Sequence, residues 1–192
     1  MAKVKRSLFN HSGIVFLIFI FVLFIIINCL PLILKKELPD LIFNGQFEVQ
    51  VLSKLPITDM SAKELKLDTV QEGIIGYSEF TIELPDKFKG KVKYEIYLDD
   101  ITKKETFKYD YIKIYLTDFN DNPYKQYDGN SVPSYKDLRV SLKDSSKKIL
   151  LSDEIKAGEE KKYKLRIWLS DTYVLNNIDK EFKGKISVKA IS

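Results

Sequence analysis

After residue 40 the chain alternates apolar and polar side chains with a period of two. In residues 91–98, Val92, Tyr94, Ile96 and Leu98 fall on one face of an extended chain, and charged side chains fill the other. This alternation is typical of antiparallel strands that have one buried and one solvated face. The pattern predicts eight strands, over residues 47–52, 77–84, 91–98, 112–116, 138–142, 149–151, 163–169 and 182–190.

Turn-forming residues separate these segments. Pro85-Asp86, the Asp- and Asn-rich stretch 118–123 and Ala157-Gly158-Glu159 each interrupt the alternation, and such residues favour turns. Helical periodicity does not alternate with the strands, which argues against a parallel α/β fold. The sequence therefore predicts an all-β fold, an antiparallel immunoglobulin-like β-sandwich of about seven or eight strands.

An N-terminal segment has a different character. Residues 13–34 form an uncharged apolar run, and a helix of that length reaches about 33 Å, enough to cross a bilayer core of about 30 Å. We expect a single transmembrane helix that serves as a signal anchor. Two alternatives stay open: a cleaved signal peptide, and lipidation at Cys29. The run is longer than a signal-peptide core and lacks an Ala-x-Ala-like site.

The anchor divides the chain into four parts. We expect a short basic cytoplasmic tail at 1–12, the transmembrane helix at 13–34, a juxtamembrane linker at 35–40 and a β-sandwich domain at 41–192. Three basic residues precede the helix and two follow it, so the positive-inside rule favours a cytoplasmic N-terminus. The predicted location is the cell membrane, with the C-terminal domain outside and the lipid bilayer as a partner of residues 13–34.

The net charge of +4 does not describe the predicted domain. Five basic residues and no acidic ones precede Glu37, so from there on 26 basic residues (31 minus 5) stand against 27 acidic ones. A nearly neutral domain argues against nucleic acid as a partner.

The sequence contains no recognisable catalytic or cofactor-binding motif. His11 and Cys29 are the chain's single histidine and single cysteine, so serine–histidine, cysteine–histidine and histidine-based zinc chemistry are excluded from the domain. Glycine-rich nucleotide loops are also absent. Asp99 and Asp100 are adjacent carboxylates, but such neighbours point apart on a strand. We expect a non-enzymatic protein without a cofactor.

Three aromatic residues occur in a recurring local pattern. Tyr97, Tyr115 and Trp168 each stand between two aliphatic residues that face inward, so their rings are expected on the outer faces of the sheets. An exposed aromatic stripe would bind an envelope component, a glycan or a protein partner. The alternative, which we favour, is that loops cover these rings.

Calcium is the one metal that the sequence suggests. Asp118, Asp121 and Asp171 would form a site if their loops met at one end of the sandwich. The stretch 118–122 resembles the start of an EF-hand loop, but Pro123 replaces the required glycine. The alternative is a turn in which Asp and Asn side chains bond to nearby backbone.

The late part of the chain resembles a known group. A Gly158-Glu159 turn leads into 163–169, which contains Ile-Trp-Leu, and a last strand follows at 182–188. This layout, after an N-terminal hydrophobic segment, resembles the TasA/camelysin-like surface β-sandwich proteins of Gram-positive bacteria. The resemblance implies a cell-surface sandwich. That group carries a cleavable signal, however, and this chain lacks the pattern of one.

These observations predict a single-pass, membrane-anchored, non-enzymatic protein of the bacterial surface that acts in adhesion, binding or envelope structure. One alternative is a subunit of a surface filament or a biofilm matrix fibre. A second is a wall-acting enzyme that uses carboxylates such as Asp99, Asp100, Asp118 and Asp171.

Overall fold

The computed structural model describes residues 15–16, 18–25, 38–53, 75–142, 144–176 and 178–191. The chain divides into two compact units, Met1–Leu38 and Pro39–Ser192. In the first unit residues 15–16 and 18–25 are α-helical, and their side chains are 43% to 66% exposed. Among the described residues, no helix has the length and apolar character needed to cross a membrane. The whole predicted tail, residues 13–14, 17 and 26–34 of the predicted anchor and residues 35–37 of the predicted linker lie outside the described residues.

The second unit contains nine described strands and two short 3-10 helices. The strands are β1 Ile42–Gly45, β2 Glu48–Leu52, β3 Tyr77–Glu83, β4 Lys91–Asp100, β5 Ile112–Asp118, β6 Arg139–Val140, β7 Lys148–Lys156, β8 Glu160–Leu169 and β9 Glu181–Ile191. The 3-10 helices span Tyr109–Tyr111 and Tyr135–Asp137.

The strands form two antiparallel sheets. The four-stranded sheet has the order β1-β3-β8-β5, and the five-stranded sheet has the order β2-β9-β4-β7-β6. This arrangement confirms the predicted antiparallel, all-β, sandwich-like architecture. The eight predicted strands all overlap observed ones, and the short β1 was not predicted.

The hydrophobic core lies between the sheets. Phe80, Ile114 and Leu165 come from the four-stranded sheet, Ile96 and Phe182 come from the other, and all belong to one buried cluster. Each fully buried side chain of this size stabilises the fold by about 1.5–3 kcal/mol. The alternation in the sequence is the direct consequence of this one-sided burial.

The N-terminal strand changes sheets at Gly45. β1 pairs with β3, whereas β2 pairs with β9 of the other sheet. Gly45 has a φ of 130°, a conformation that side chains other than glycine rarely adopt. A Cβ atom there would lie 2.5 Å from the carbonyl oxygen of Glu79. A glycine is therefore required where the chain leaves one sheet for the other.

Candidate functional site

A partly open cavity of about 310 Å³ lies between the two sheets on the side of β2 and β3. A volume of this size falls at the lower end of protein ligand pockets, which run from about 300 to 1,000 Å³. The apolar part of its lining includes Val49, Ile75, Leu165 and Trp168, and the polar part includes Gln50 and Ser78. The lining therefore combines apolar contacts with amide and hydroxyl groups.

The strand β2 turns an unpaired edge toward the cavity. The carbonyl of Phe47 accepts a hydrogen bond from the Ile186 N–H of β9, and the Ser53 N–H donates to Lys180. Successive residues of a strand direct their backbone groups to opposite edges. The N–H and C=O groups of Gln50 therefore point away from β9. Within the part of the chain that the structure describes, no strand pairs with this edge.

The start of β3 has a shorter edge of the same kind. β1 pairs only with the second half of β3, from Phe80 onward. The Glu79 carbonyl accepts a hydrogen bond from the Gln46 N–H at 3.0 Å, so the backbone groups of Tyr77 point the same way. The cavity thus lies between the edge of one sheet and the edge of the other.

Other described segments close the opposite side of the sandwich. The N–H of Ile114 in β5 donates to the Pro133 carbonyl at 2.9 Å, and the N–H of Asp118 donates to the Asn122 carbonyl at 2.9 Å. On β7, the Leu150 carbonyl accepts a hydrogen bond from the Tyr127 hydroxyl at 2.7 Å. Edge strands blocked in this way cannot pair with another chain.

Polar side chains hold the β2 edge in place. Gln50 donates from Nε2 to Oε2 of Glu181 at 3.2 Å, and the Glu181 side chain is only 9% exposed. Gln46 donates from its side chain to the Glu48 carbonyl at 3.1 Å. These bonds orient the two amide side chains at the mouth of the cavity.

The three aromatic rings predicted at the surface are buried. Tyr97 is 3% exposed, and Tyr115 and Trp168 are each 2% exposed. The hypothesis of an exposed aromatic stripe is therefore wrong. Alternation assigns a side chain to one face of a sheet, but it does not show what packs against that face.

The alternative, that loops cover the rings, holds for two of them. The Lys147 ammonium group, in the loop before β7, lies 5.5 Å from the centre of the Tyr97 ring. The Tyr127 ring, in the loop after β5, lies 6.5 Å from that of Tyr115. Trp168 instead lines the cavity.

The calcium site predicted from Asp118, Asp121 and Asp171 does not form. Asp118 pairs with Tyr163 at one end of β8, whereas Asp171 follows Leu169 at the other end. These ends are six residue steps apart, a distance of about 20 Å. Among the described residues, no group of three histidine, cysteine or acidic side chains could hold a metal ion.

Asp121 binds two basic side chains instead. Its carboxylate lies 2.9 Å from Nζ of Lys164 and 3.0 Å from Nη2 of Arg166. Burial alone would raise the pKa of this carboxyl group, but the hydrogen bonds from Lys164 and Arg166 outweigh burial and hold the pKa below its ordinary value. The loop after β5 is thereby fastened to the outer face of β8.

The sequence did not single out the polar residues of the cavity, Gln46, Gln50 and Ser78. One signal was present: Ser78 occupies an inward position of β3, two residues before the buried Phe80. A small polar residue on an apolar face indicates space beside it. Comparisons with protein-family models, curated proteins and solved structures found no match for this chain.

Proposed function

We propose that this protein is a single-pass, membrane-anchored, non-enzymatic surface protein whose sandwich binds a partner at the cavity beside β2. The observation that carries the proposal is the cavity itself, which lies between two strand edges that no described strand covers. A lining that combines apolar side chains with a few polar groups is typical of binding sites.

The apolar N-terminal segment supports membrane attachment. Residues 13–34 carry no charge, and the described helical part exposes large apolar side chains, including Phe19, Phe21 and Phe24. Exposed apolar surface of this extent is unfavourable in water and favourable in lipid. Basic residues on both flanks suit the headgroup regions, and the larger number before the segment favours a domain outside the cytoplasm.

The composition of the cavity supports binding rather than catalysis. Apart from the Tyr77 hydroxyl, its described lining residues have no titratable side chain. General acid–base catalysis requires such a group within hydrogen-bond reach of the substrate.

The path of the N-terminal strand supports an immunoglobulin-like type of sandwich. In that type Greek-key connections carry the chain from one sheet to the other. Here one extended segment, 42–52, contributes β1 to one sheet and β2 to the other. The immunoglobulin-like type of the sandwich is therefore part of what we propose.

Membrane fractionation tests the anchoring. Full-length protein should remain in carbonate-washed membranes, and protease added to intact cells should digest the domain. A variant with Ile20→Asp and Leu23→Asp should move to the soluble fraction, because charge at these positions opposes insertion. A matched variant with Ile20→Val and Leu23→Ile should stay in the membrane. A domain protected in intact cells would refute surface display, and filaments seen by electron microscopy would favour the fibre-subunit alternative.

A further inference from the structure

We infer that the partner at this cavity is an extended peptide, which adds as a further strand to the free edge of β2, the edge that no described strand covers, and inserts one apolar side chain between the sheets. The inference rests on the proposed binding role of the cavity and specifies the chemical class of its ligand.

The backbone of β2 presents the groups that a peptide strand requires. Gln50 and Leu52 both direct N–H and C=O groups to the free edge, since Phe47 and Ser53 direct theirs to β9. Donors and acceptors that repeat every second residue match the backbone of another extended chain. The β3 edge is shorter, because Gln46 already bonds to the Glu79 carbonyl.

The position of the cavity explains why the bound peptide would insert an apolar side chain. On a paired strand, side chains beside Val49 face the same side of the sheet as Val49 itself. Val49 lines the cavity together with Leu165 of the opposite sheet. A residue of the added strand next to Val49 would therefore point into the space between the two sheets.

The charge at the rim defines a further feature of the peptide. Glu48 is the only charged residue of β2, and its side chain is exposed. Glu48 already lies opposite Lys185 of β9. Opposite charges on neighbouring strands stabilise pairing, so a lysine or arginine on the other side of Glu48 also fits this edge. A peptide that alternates apolar and polar residues and has one basic residue satisfies all three requirements.

Two substitutions, Gln50→Pro and Gly76→Phe, test the strand addition and leave the apolar residues of the cavity lining unchanged. Gln50→Pro removes a backbone N–H that points away from β9, at an edge position where proline is tolerated. Gln50→Ala is the matched control, because it loses the same side-chain bond to Glu181 but keeps the N–H. Gly76→Phe fills the cavity from a position where an added Cβ meets nothing within 4 Å.

The probe is a phage library of random 12-residue peptides, selected on full-length protein in lipid nanodiscs. We expect enriched peptides to alternate apolar residues and to carry lysine or arginine. Gln50→Pro should weaken their binding about tenfold or more, since one backbone hydrogen bond is lost and the proline ring blocks the edge. Gly76→Phe should also weaken binding, and Gln50→Pro should bind at least about tenfold more weakly than Gln50→Ala, which loses the same side-chain bond but keeps the backbone N–H.

Three outcomes would overturn the inference. These are the absence of enriched peptides, enriched peptides that bind Gln50→Pro as tightly as wild type, and self-association of the protein that Gln50→Pro abolishes while no peptide competes. The last outcome would assign the edge to a second copy of the chain. Thermal unfolding of each variant verifies that it is folded. Failure of membrane anchoring would show in fractionation, and peptide binding would then be measured on the full-length protein outside nanodiscs, so the two proposals fail separately.

Discussion

The hydroxyl groups of Tyr94 and Tyr163 form a hydrogen bond between the two sheets. Tyr94 lies on β4, Tyr163 lies on β8, and both side chains are fully buried. Tyr94 also donates to Oδ2 of Asp153 at 3.3 Å, and Lys161 holds the same carboxylate at 2.7 Å. A chain of polar contacts therefore runs from the middle of the core to the surface.

This relationship predicts the effect of removing either hydroxyl. Tyr163→Phe should lower the free energy of unfolding by about 1 kcal/mol, because Tyr94 keeps Asp153 as a partner. Tyr94→Phe should cost about 1–2 kcal/mol, since it loses both bonds. Urea unfolding measures both. Tyr109→Phe, which removes an exposed hydroxyl bonded to Asp100, is the control with a smaller loss. Losses that simply add in the double variant would show that the two hydroxyls are not coupled.

The buried tyrosines also predict alkaline instability. Burial raises the pKa of Tyr97, Tyr115 and Tyr124 to about 12, and raises those of Tyr94 and Tyr163 further. An unfolded tyrosine loses its proton near pH 10. Above that pH the unfolded state releases protons that the folded state retains, so stability should fall as the pH rises from about 10 to 12.

Urea unfolding at pH 8 and at about pH 11 measures this loss. The double variant Tyr94→Phe, Tyr163→Phe should lose less stability over the same interval, because two of the titrating groups are gone. An equal loss in the variant and in wild type would contradict the assignment to these hydroxyls.

Asp121 provides a test of the ion pairs outside the core. Asp121→Asn should lower the free energy of unfolding by about 2 kcal/mol or more, because the buried Lys164 and Arg166 would both lose the negative charge of Asp121. Their side chains are 11% and 5% exposed. Asn tolerates the positive φ of 64° at this position, so the backbone should not add to the loss.

The matched control is Asp144→Asn, in an exposed loop where Ser146 provides the hydrogen bonds. Because the pKa of Asp121 is held below its ordinary value, its contribution should be present above about pH 4 and lost as the pH falls further. A flat acid profile for the difference between wild type and Asp121→Asn would refute this role.

Gly45→Ala tests the change of sheet between β1 and β2. The added Cβ would lie 2.5 Å from the Glu79 carbonyl oxygen and 2.6 Å from the Phe80 Cα. We expect a loss of more than about 2 kcal/mol in urea unfolding. Gly129→Ala, whose added Cβ would lie 3.6 Å from its nearest neighbour, the Ser131 carbonyl oxygen, should change stability by less than about 0.5 kcal/mol. A similar small effect at both positions would show that the crossing is not constrained at Gly45.

Calcium should leave the folded protein unchanged. Asp118 and Asp171 lie at opposite ends of β8, and Asp121 is bonded to Lys164 and Arg166. Thermal unfolding with about 5 mM calcium, enough for weak extracellular sites, should match unfolding with a chelator. A rise in Tm of several degrees with calcium would contradict the assignment of Asp121 to the ion pairs.

The strands could be predicted where alternation is unbroken. β8 and β9 were located within a few residues because inward aliphatic residues alternate with lysines along them. β7 was predicted too short, since its second half contains the polar run Ser152-Asp153-Glu154. β1 was missed because four residues that include Asn44 and Gly45 carry almost no periodic signal.

The candidate site could not be predicted from the alternation of residues, because it depends on contacts between distant parts of the chain. Tyr97 and Tyr115 were assigned to the outer faces, yet the loops that cover them come from residues more than ten positions away in the chain. A calcium site would have required the three aspartates to lie together, but the antiparallel register of β5 and β8 separates two of them.

The sequence by itself determined which segments are strands and which side of each strand is buried, because one-sided burial imposes a period of two on every strand. Only the tertiary structure decided which strand edges remain unpaired and where the sheets leave a cavity. Edge pairing joins distant segments, such as Ile114 with Pro133 on the closed side, and no local pattern encodes it. For that reason the β2 edge emerged as the candidate binding site only when both sheets were assembled.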